Sequence, residues 1–214
     1  MRSLLLLLAG LLMSGPAAGQ NIPDPATSTI PRRLVVCPEG DLSAEFVMRD
    51  FTRNPVDGCV VVMEFNLCPA FVHCAHPLPD GVTNLIVDDS QRRITGTTGP
   101  DGRLVFRVKM TGSCTDALGN PFYIRTYGNG VPMGGPLLLS PDQNGDLVVD
   151  AADETIMNAK MGIAPKDVGT ADLNGDGIVD AGDIAILQAH LTHLCDDSTP
   201  VRRSRWGQLK LLYR

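Results

Sequence analysis

The sequence predicts a mainly β N-terminal sandwich followed by a small all-α unit that contains two loop–helix repeats. Three observations lead to this fold class. Short apolar segments alternate with turn residues from Leu34 to Pro136. An acidic loop of twelve residues then occurs twice, at 142–153 and 172–183. Each copy of the loop leads directly into an amphipathic segment with helical spacing.

The first nineteen residues have the layout of a secretory signal peptide. After one positive charge, an apolar run of about ten residues extends from Leu4 to Met13, and small residues follow it. That run has about half the length that spans a bilayer, so a cleaved signal is favoured over a membrane anchor. We expect cleavage near Ala18 or Gly19, a secreted or cell-surface protein, and no transmembrane segment in the mature chain.

An extended lead-in at 20–33 is rich in Pro, Ser and Thr, and structure is expected to begin near Leu34. At the other end, residues 196–214 form a basic tail with apolar residues between its charges. Two interpretations of the tail stay open: a disordered terminus, or a tag for attachment to an acidic partner or a membrane surface.

Six cysteines fit an oxidising compartment, and they stand at positions 37, 59, 68, 74, 114 and 195. Six cysteines allow fifteen pairings, so the sequence leaves the connectivity open. By position, Cys68 with Cys74 and Cys37 with Cys114 are candidate pairs, and pairing of Cys59 with Cys195 stays undecided. A zinc site formed by Cys68, His73, Cys74 and His76 matches no finger spacing, so a disulfide with two surface histidines is favoured.

The acidity of the chain is local. The formal net charge is −6, and eight of the 24 acidic side chains lie in the two acidic loops. The chain has no basic stripe with interleaved aromatic residues in its folded part, so a nucleic-acid partner is disfavoured.

His190 and His193, on the last predicted helix, are expected to be solvated.

Six β segments are predicted in the first part, and they are Leu34–Val36, Ala44–Met48, Cys59–Phe65, Asn84–Val87, Leu104–Met110 and Phe122–Tyr127. Two turn motifs punctuate them, Asn54-Pro55-Val56-Asp57-Gly58 and Asp101-Gly102 before an alternating strand. These motifs resemble those of bacterial immunoglobulin-like domains of extracellular proteins. The resemblance implies an immunoglobulin-like sandwich over 34–136 and no particular chemistry.

The acidic loops carry the chemistry. Each copy places oxygen side chains at its first, third, fifth, ninth and twelfth positions. Calcium prefers six to eight oxygen ligands, and a loop with alternating carboxylates can wrap one ion. The apolar eighth residues, Val149 and Val179, are predicted to face a core. Because four carboxylates repel each other in each loop, calcium binding and folding should be coupled. The following helices are predicted over 153–161 and 183–194.

The duplicated pattern Asp-x-Asn-Gly-Asp-x-x-Val-Asp-x-x-Asp resembles a type I dockerin over 137–195. The resemblance implies a paired F-hand fold, two calcium ions and a helix face that binds a cohesin-like partner. It assigns the first ion to Asp142, Asn144, Asp146, the carbonyl of Val148, Asp150 through water, and Asp153. It assigns the second ion to Asp172, Asn174, Asp176, the carbonyl of Ile178, Asp180 through water, and Asp183. The positions that contact cohesin would be Ala151, Ala152, Ala181 and Gly182.

Two departures from the dockerin pattern matter. Leu147 occupies the sixth loop position, where Gly177 stands in the second copy, so the first loop is expected to bind more weakly. The cohesin-recognition positions hold Ala and Gly in place of Ser and Thr, so cohesin recognition is less strongly predicted than calcium binding.

The sequence therefore predicts a secreted, non-catalytic calcium-binding protein with a docking module. It contains no nucleophile elbow, phosphate loop, dinucleotide fingerprint or metalloprotease helix. Two alternatives remain: a calcium-stabilised structural protein of the cell surface without a cohesin partner, and an accessory component of extracellular polysaccharide degradation.

Overall fold

The computed structural model describes residues 22–68, 70–112, 123–163 and 170–195. The described residues form eleven strands and two helices. The strands are β1 Arg33–Val35, β2 Ala44–Val47, β3 Val60–Glu64, β4 Val72–His73, β5 Leu85–Asp88, β6 Arg93–Thr97, β7 Arg103–Phe106, β8 Met110–Thr111, β9 Arg125–Gly128, β10 Val131–Gly134 and β11 Leu137–Leu139. The helices are α1 Ala151–Ala159 and α2 Ala181–Ala189. A mostly β chain with two short helices near its C-terminal end is therefore confirmed.

Within the described ranges, the strands form four sheets. The largest has the strand order β10-β9-β3-β6-β5, and all of its neighbours are antiparallel. Strands β2 and β7 form an antiparallel pair, as do β4 and β8, whereas β1 and β11 pair in parallel. Alternation sets the faces of these strands: in β7, Leu104 and Phe106 are buried while Arg103 and Val105 are exposed.

Two apolar cores adjoin each other at β11. The larger core lies among the strands and includes Phe46 and Phe106, whose ring centroids are 6.3 Å apart in an edge-to-face arrangement. The smaller core packs α1 and α2 through the buried side chains of Met157 and Leu187. Leu138 belongs to the larger core, and the next residue, Leu139, belongs to the smaller one. The two parts of the chain therefore share this strand.

Each predicted β segment overlaps a strand, in several cases with a shift of one residue or more, although Phe122 lies outside the described residues. The predicted segment Leu104–Met110 is divided, because only its ends form β7 and β8. Strands β4, β6, β8 and β10 were not predicted as separate elements. In β6, Gly96 weakens the apolar pattern, yet glycine is needed there since a Cβ would lie 2.7 Å from side-chain atoms of Leu104 and Leu85.

Both helices begin and end earlier than predicted. The predicted ranges were 153–161 and 183–194, whereas the helices cover Ala151–Ala159 and Ala181–Ala189. Asp150 and Asp180 act as N-caps, and each forms a capping box with the aspartate three residues on. Loop residues Asp153 and Asp183 therefore lie inside the first helical turns.

Ordered contacts begin before Leu34. The backbone N–H of Thr29 donates to the carbonyl of Val47 at 2.7 Å, and that of Asp24 donates to the carbonyl of Arg49 at 2.8 Å. The lead-in is thus attached to the end of β2. The predicted signal peptide and the basic tail lie outside the described residues. Among the helices of the described ranges, none is long and apolar enough to span a membrane.

The predicted cysteine pairs are wrong. Cys74 forms a disulfide with Cys195, 121 residues further on, so it does not pair with Cys68. Cys37 is a free thiol, which excludes the pairing with Cys114, and Cys59 is also free. Cys68 is disulfide-bonded. The Cα atoms of Cys74 and Cys195 are 5.0 Å apart because the segment after α2 packs beside β4, a contact that local spacing does not reveal.

The predicted environments of the histidines also need correction. The zinc alternative is excluded because the sulfur of Cys74 is bonded to Cys195. His73 is largely buried and pairs with Asp89, so it is not a surface histidine. His190 is 6% exposed and is not solvated, because the end of α2 packs against the turn that holds Asp41.

Candidate calcium sites

The two acidic loops are related by an approximate internal symmetry. In the first loop, Val149 donates to the carbonyl of His193 at 2.8 Å, and Thr192 donates back to Val149 at 2.8 Å. In the second loop, the carbonyl of Val179 accepts from Gly162 at 2.8 Å. Each loop thus pairs with the segment that follows the other helix. The eighth loop residues are completely buried in the smaller core, as predicted.

The first residue of each loop is held in the same way. Backbone N–H groups of the fourth and sixth loop residues donate to its carboxylate. The donors lie 2.7 and 3.1 Å from the oxygens of Asp142 in the first loop. They lie 2.8 and 3.1 Å from the oxygens of Asp172 in the second. Both aspartates are buried, since each residue as a whole is 2% exposed or less.

The third and fifth residues interact through their side chains. The amide Nδ2 of Asn144 donates to Asp146 Oδ2 at 2.9 Å, and Asn174 donates to Asp176 at 3.0 Å. In return, the backbone N–H of the fifth residue donates to the amide oxygen of the third at 2.8 Å in both loops. These hydrogen bonds bring the two side chains of each loop together.

The twelfth residue closes each loop. Asp153 accepts from the backbone of Asp150 at 2.9 Å, and Asp183 accepts from Asp180 at the same distance. Each also accepts from the backbone of the third loop residue, at 3.0 Å in the first loop and 2.9 Å in the second. Both carboxylates are completely buried. One side chain therefore joins the start of the loop to the start of the helix.

The seventh residues contribute in a different way. Their side chains point away from the cores, and that of Ile178 is 53% exposed, whereas that of Val148 is half-buried. Their backbone N–H groups donate to the fifth-position aspartates at 3.0 and 2.9 Å. The assignment of their carbonyl oxygens as calcium ligands stays a prediction.

Charge in the first loop is incompletely balanced by protein groups. Burial raises the pKa of Asp142, although a hydrogen bond from Thr111 opposes the increase. Burial also raises the pKa of Asp153, and the nearby carboxylate of Asp146 adds to that increase. The buried carboxylates of Asp142 and Asp153 are thus held close together out of water, with the exposed carboxylate of Asp146 nearby. A divalent cation would stabilise their ionised forms.

The oxygen donors of both loops fit calcium. Carboxylate, amide and carbonyl oxygens suit a hard cation, whereas the loops offer no sulfur or imidazole ligand. The residues that would hold the first ion are Asp142, Asn144, Asp146, Val148, Asp150 and Asp153. Those that would hold the second are Asp172, Asn174, Asp176, Ile178, Asp180 and Asp183. The bound ion would supply the positive charge that lets these carboxylates share one site.

Backbone conformation differs between the loops at the sixth position. Leu147 has φ of 80°, and the equivalent Gly177 has φ of 99°. The left-handed region is costly for leucine and free of penalty for glycine. Leu147 therefore adopts the strained backbone conformation on which the expectation of weaker binding rests, and the weaker binding itself stays a prediction.

Among the described residues, two strand side chains donate hydrogen bonds to the loops, and no sequence pattern predicted either of them. Arg33 of β1 donates to Asp172, with 2.8 Å between Nη2 and Oδ2 and a second bond from Nη1 to the backbone carbonyl. Thr111 of β8 donates to Asp142 Oδ2 at 2.8 Å. The first residue of each loop is thus hydrogen-bonded to a side chain from a strand.

The four residues predicted to contact a partner occupy equivalent places. Ala151 and Ala152 begin α1, Ala181 and Gly182 begin α2, and all four are exposed. A Cβ at Gly182 would lie 2.8 Å from Nδ2 of Asn174, so glycine leaves room for the third residue of the second loop.

The fold and the sites define a class, the paired loop–helix calcium-binding module. Within that class, residues 140–192 match the family model described as the dockerin type I domain, and this part of the chain is a dockerin type I domain. Such domains bind calcium and typically bind cohesins. No curated protein and no solved structure matches the chain.

Proposed function

We propose that the chain is a secreted, non-catalytic docking protein. Its dockerin domain binds two calcium ions and a cohesin-like partner, and an immunoglobulin-like sandwich over 34–136 acts as a spacer or adhesion module. Secretion is inferred from the first nineteen residues. The immunoglobulin-like assignment rests on the two turn motifs together with the antiparallel sheets that surround a single core.

One observation carries the proposal: the two loops repeat the same hydrogen bonds at matching positions and place the same two residues of each helix in solvent. Equivalent distances differ by no more than 0.1 Å between the copies. Such a module offers two similar helix faces to a partner. Calcium would fix both faces, because the twelfth residue is at once a ligand and part of the helix cap.

The test uses the full chain without its signal peptide. Calcium titration followed by circular dichroism and by calorimetry should show two ions per chain and an increase in helical signal. Retention on immobilised type I cohesins should require calcium and be lost with chelator. A chain that binds two ions but is retained by none of a broad cohesin panel would contradict the docking role.

Variants at the exposed positions separate docking from folding. Ala152→Lys should weaken cohesin retention while calcium stoichiometry stays at two. Gly182→Lys is not used, because a Cβ at Gly182 would lie 2.8 Å from Nδ2 of Asn174 and would disturb the second loop. The matched control is Ala185→Lys on the exposed part of α2, away from the first turn.

A second function is favoured by the contacts between the loops and the strands. Arg33, Thr111 and the Cys74–Cys195 disulfide tie the dockerin domain to the β part. In a structural cell-surface protein, calcium would act as a clamp for that whole unit. This alternative predicts that calcium raises the melting temperature of the β part as well, and that no cohesin is bound.

A further inference from the structure

A cluster of possible metal ligands, separate from the acidic loops, lies where the end of α2 meets the turn after β1. Ligand atoms of Cys37, Asp41 and His190 all lie within 4.8 Å of one another. The imidazole of His193 adds a fourth group, with its Nδ1 3.9 Å from the sulfur of Cys37. None of these residues belongs to the calcium loops.

From this geometry we propose that Cys37, Asp41, His190 and His193 form a site for a divalent transition metal, of which Zn²⁺ is the best-fitting example. A thiolate, a carboxylate and two imidazoles are the ligands that zinc takes in tetrahedral sites. Calcium is disfavoured, because sulfur and nitrogen are poor ligands for a hard cation.

The distances that involve the two histidine nitrogens are close to those of a tetrahedral site, at 3.3 Å from His190 to Asp41 and 3.9 Å from His193 to Cys37. Zinc bonds of about 2.0–2.3 Å place neighbouring ligand atoms about 3.3–3.8 Å apart. His190 Nε2 lies 3.3 Å from Asp41 Oδ2, and Cys37 Sγ lies 2.5 Å from Asp41 Oδ1. The short second distance is a thiol–carboxylate hydrogen bond. A metal would replace the thiol proton and separate the two atoms by about 1 Å.

The ring of His190 is already oriented as a ligand. Its Nδ1 lies 2.6 Å from the carbonyl of Ile186, one turn earlier in the helix. A carbonyl can only accept, so Nδ1 donates in this bond, and Nε2, which faces Asp41, is the nitrogen that could take a metal in place of a proton. Metal-binding histidines are commonly fixed by such a bond through the other ring nitrogen.

The backbone around the cluster is held from both sides. Gly40, with φ of 65°, donates to the carbonyl of Cys37 at 3.1 Å and closes the turn that returns Asp41 to the thiol. On the other side, the backbone of His193 donates to the carbonyl of His190 at 3.1 Å. Two residues later, Cys195 is covalently joined to Cys74. The fold therefore holds the two ligands that follow β1 close to the two at the end of α2 without a bound metal.

Access and burial also suit a metal site. The thiol of Cys37 and the ring of His190 are buried, whereas Asp41 is exposed and offers an entry path. A metal there would join the β part to the end of α2, close to the disulfide that already links them.

The test uses the full chain without its signal peptide, saturated with calcium so that the acidic loops are filled. Equilibrium dialysis against Zn²⁺ should show one zinc per chain in addition to calcium. With Co²⁺ as a probe, a thiolate-to-cobalt charge-transfer band should appear in the near ultraviolet. Failure of the wild-type chain to take up zinc, or a cobalt spectrum without that band, would overturn the proposal and leave a metal-free polar contact.

Variants identify the ligands. Cys37→Ser should abolish the cobalt band and weaken zinc binding by at least about 100-fold, the upper end of the loss seen for outer-shell residues. Cys59→Ser is the matched control, because Cys59 is the other buried free thiol of the described residues and lies outside the cluster. Equal zinc binding by the two variants would overturn the proposal.

A third variant covers the case in which Cys37→Ser does not fold. Asp41→Asn changes an exposed side chain and keeps its shape, so circular dichroism should be that of the wild type. It should weaken zinc binding by at least about tenfold, since a carboxylate ligand is lost. Unchanged affinity in that folded variant would contradict the assignment of Asp41.

Discussion

Arg33 and Asp172 form an ion pair between a strand and the first residue of the second acidic loop, with 2.8 Å between Nη2 and Oδ2. The guanidinium is 22% exposed and the carboxylate 3% exposed, so the pair is largely shielded from water. The positive charge of Arg33 stabilises this carboxylate, and a bound calcium ion would stabilise the same group.

Exchange of Arg33 for Gln should lower the free energy of unfolding of the calcium-free protein by about 1–3 kcal/mol, because a buried carboxylate loses its charged partner. In saturating calcium the loss should be smaller, since the ion offsets the same charge. Urea unfolding with and without calcium measures both values. Arg103→Gln, which removes an exposed pair with Glu45, is the control and should change neither. Equal losses of unfolding free energy with and without calcium would show that Arg33 and calcium do not stabilise the same carboxylate.

Exchange of Leu147 for Gly should strengthen calcium binding in the first loop. The left-handed conformation costs leucine about 1 kcal/mol, and relief of that cost corresponds to about fivefold tighter binding. The reciprocal change, Gly177→Ala, should weaken the second loop by a similar factor. Calorimetric titration resolves the two sites. A first site that binds no more tightly in the Leu147→Gly variant would show that the backbone is not the limiting factor.

Aspartate substitutions should also show that the second loop binds calcium more tightly than the first. Asp172→Ala and Asp183→Ala should each abolish the second site and loosen α2, whereas Asp142→Ala should have a smaller effect because the strained first loop contributes less. Calorimetry and circular dichroism measure these effects. Equal losses in the three variants would contradict the difference between the loops.

Removal of the Cys74–Cys195 disulfide should be among the most destabilising changes. The bond closes a loop with a sequence separation of 121 residues, and loops of that length correspond to about 2–5 kcal/mol of stabilisation. The double variant Cys74→Ser with Cys195→Ser should lose this amount in chemical denaturation. Cys68 is also disulfide-bonded. A further loss of stability when a reductant is added to the double variant would measure the contribution of that second disulfide. A variant as stable as the wild type would mean that noncovalent contacts alone hold the dockerin domain.

His73 should make stability depend on pH. Burial lowers the pKa of His73, and the hydrogen bond with Asp89 opposes that decrease only in part. Below pH 6.5 the unfolded chain therefore takes up a proton that the folded chain does not. The free energy of unfolding should be constant with respect to this group above about pH 6.5 and fall as the pH decreases through the lower folded pKa.

Urea unfolding between about pH 7 and 5.5 in saturating calcium tests this expectation. His73→Gln should flatten the decline, whereas the control His76→Gln, at an exposed position, should keep the slope of the wild type. An unchanged slope in the His73 variant would assign the decline to other groups.

The sequence by itself determined the local features of this protein. Twelve-residue spacing identified the candidate ligands of both loops, and the buried Val149 and Val179 were predicted from their place in that spacing. Alternation and turn residues located six of the strands. These features were readable because loop chemistry and strand alternation depend on neighbours within one short segment.

Only the tertiary structure decided which distant residues meet. Arg33 reaches Asp172 across 139 residues, and Cys74 meets Cys195 across 121. The burial of His190 beside Asp41 also depends on how the end of α2 packs on the β part. Such contacts depend on the packing of whole elements and on the closure of long loops, and no local pattern in the chain encodes either of them.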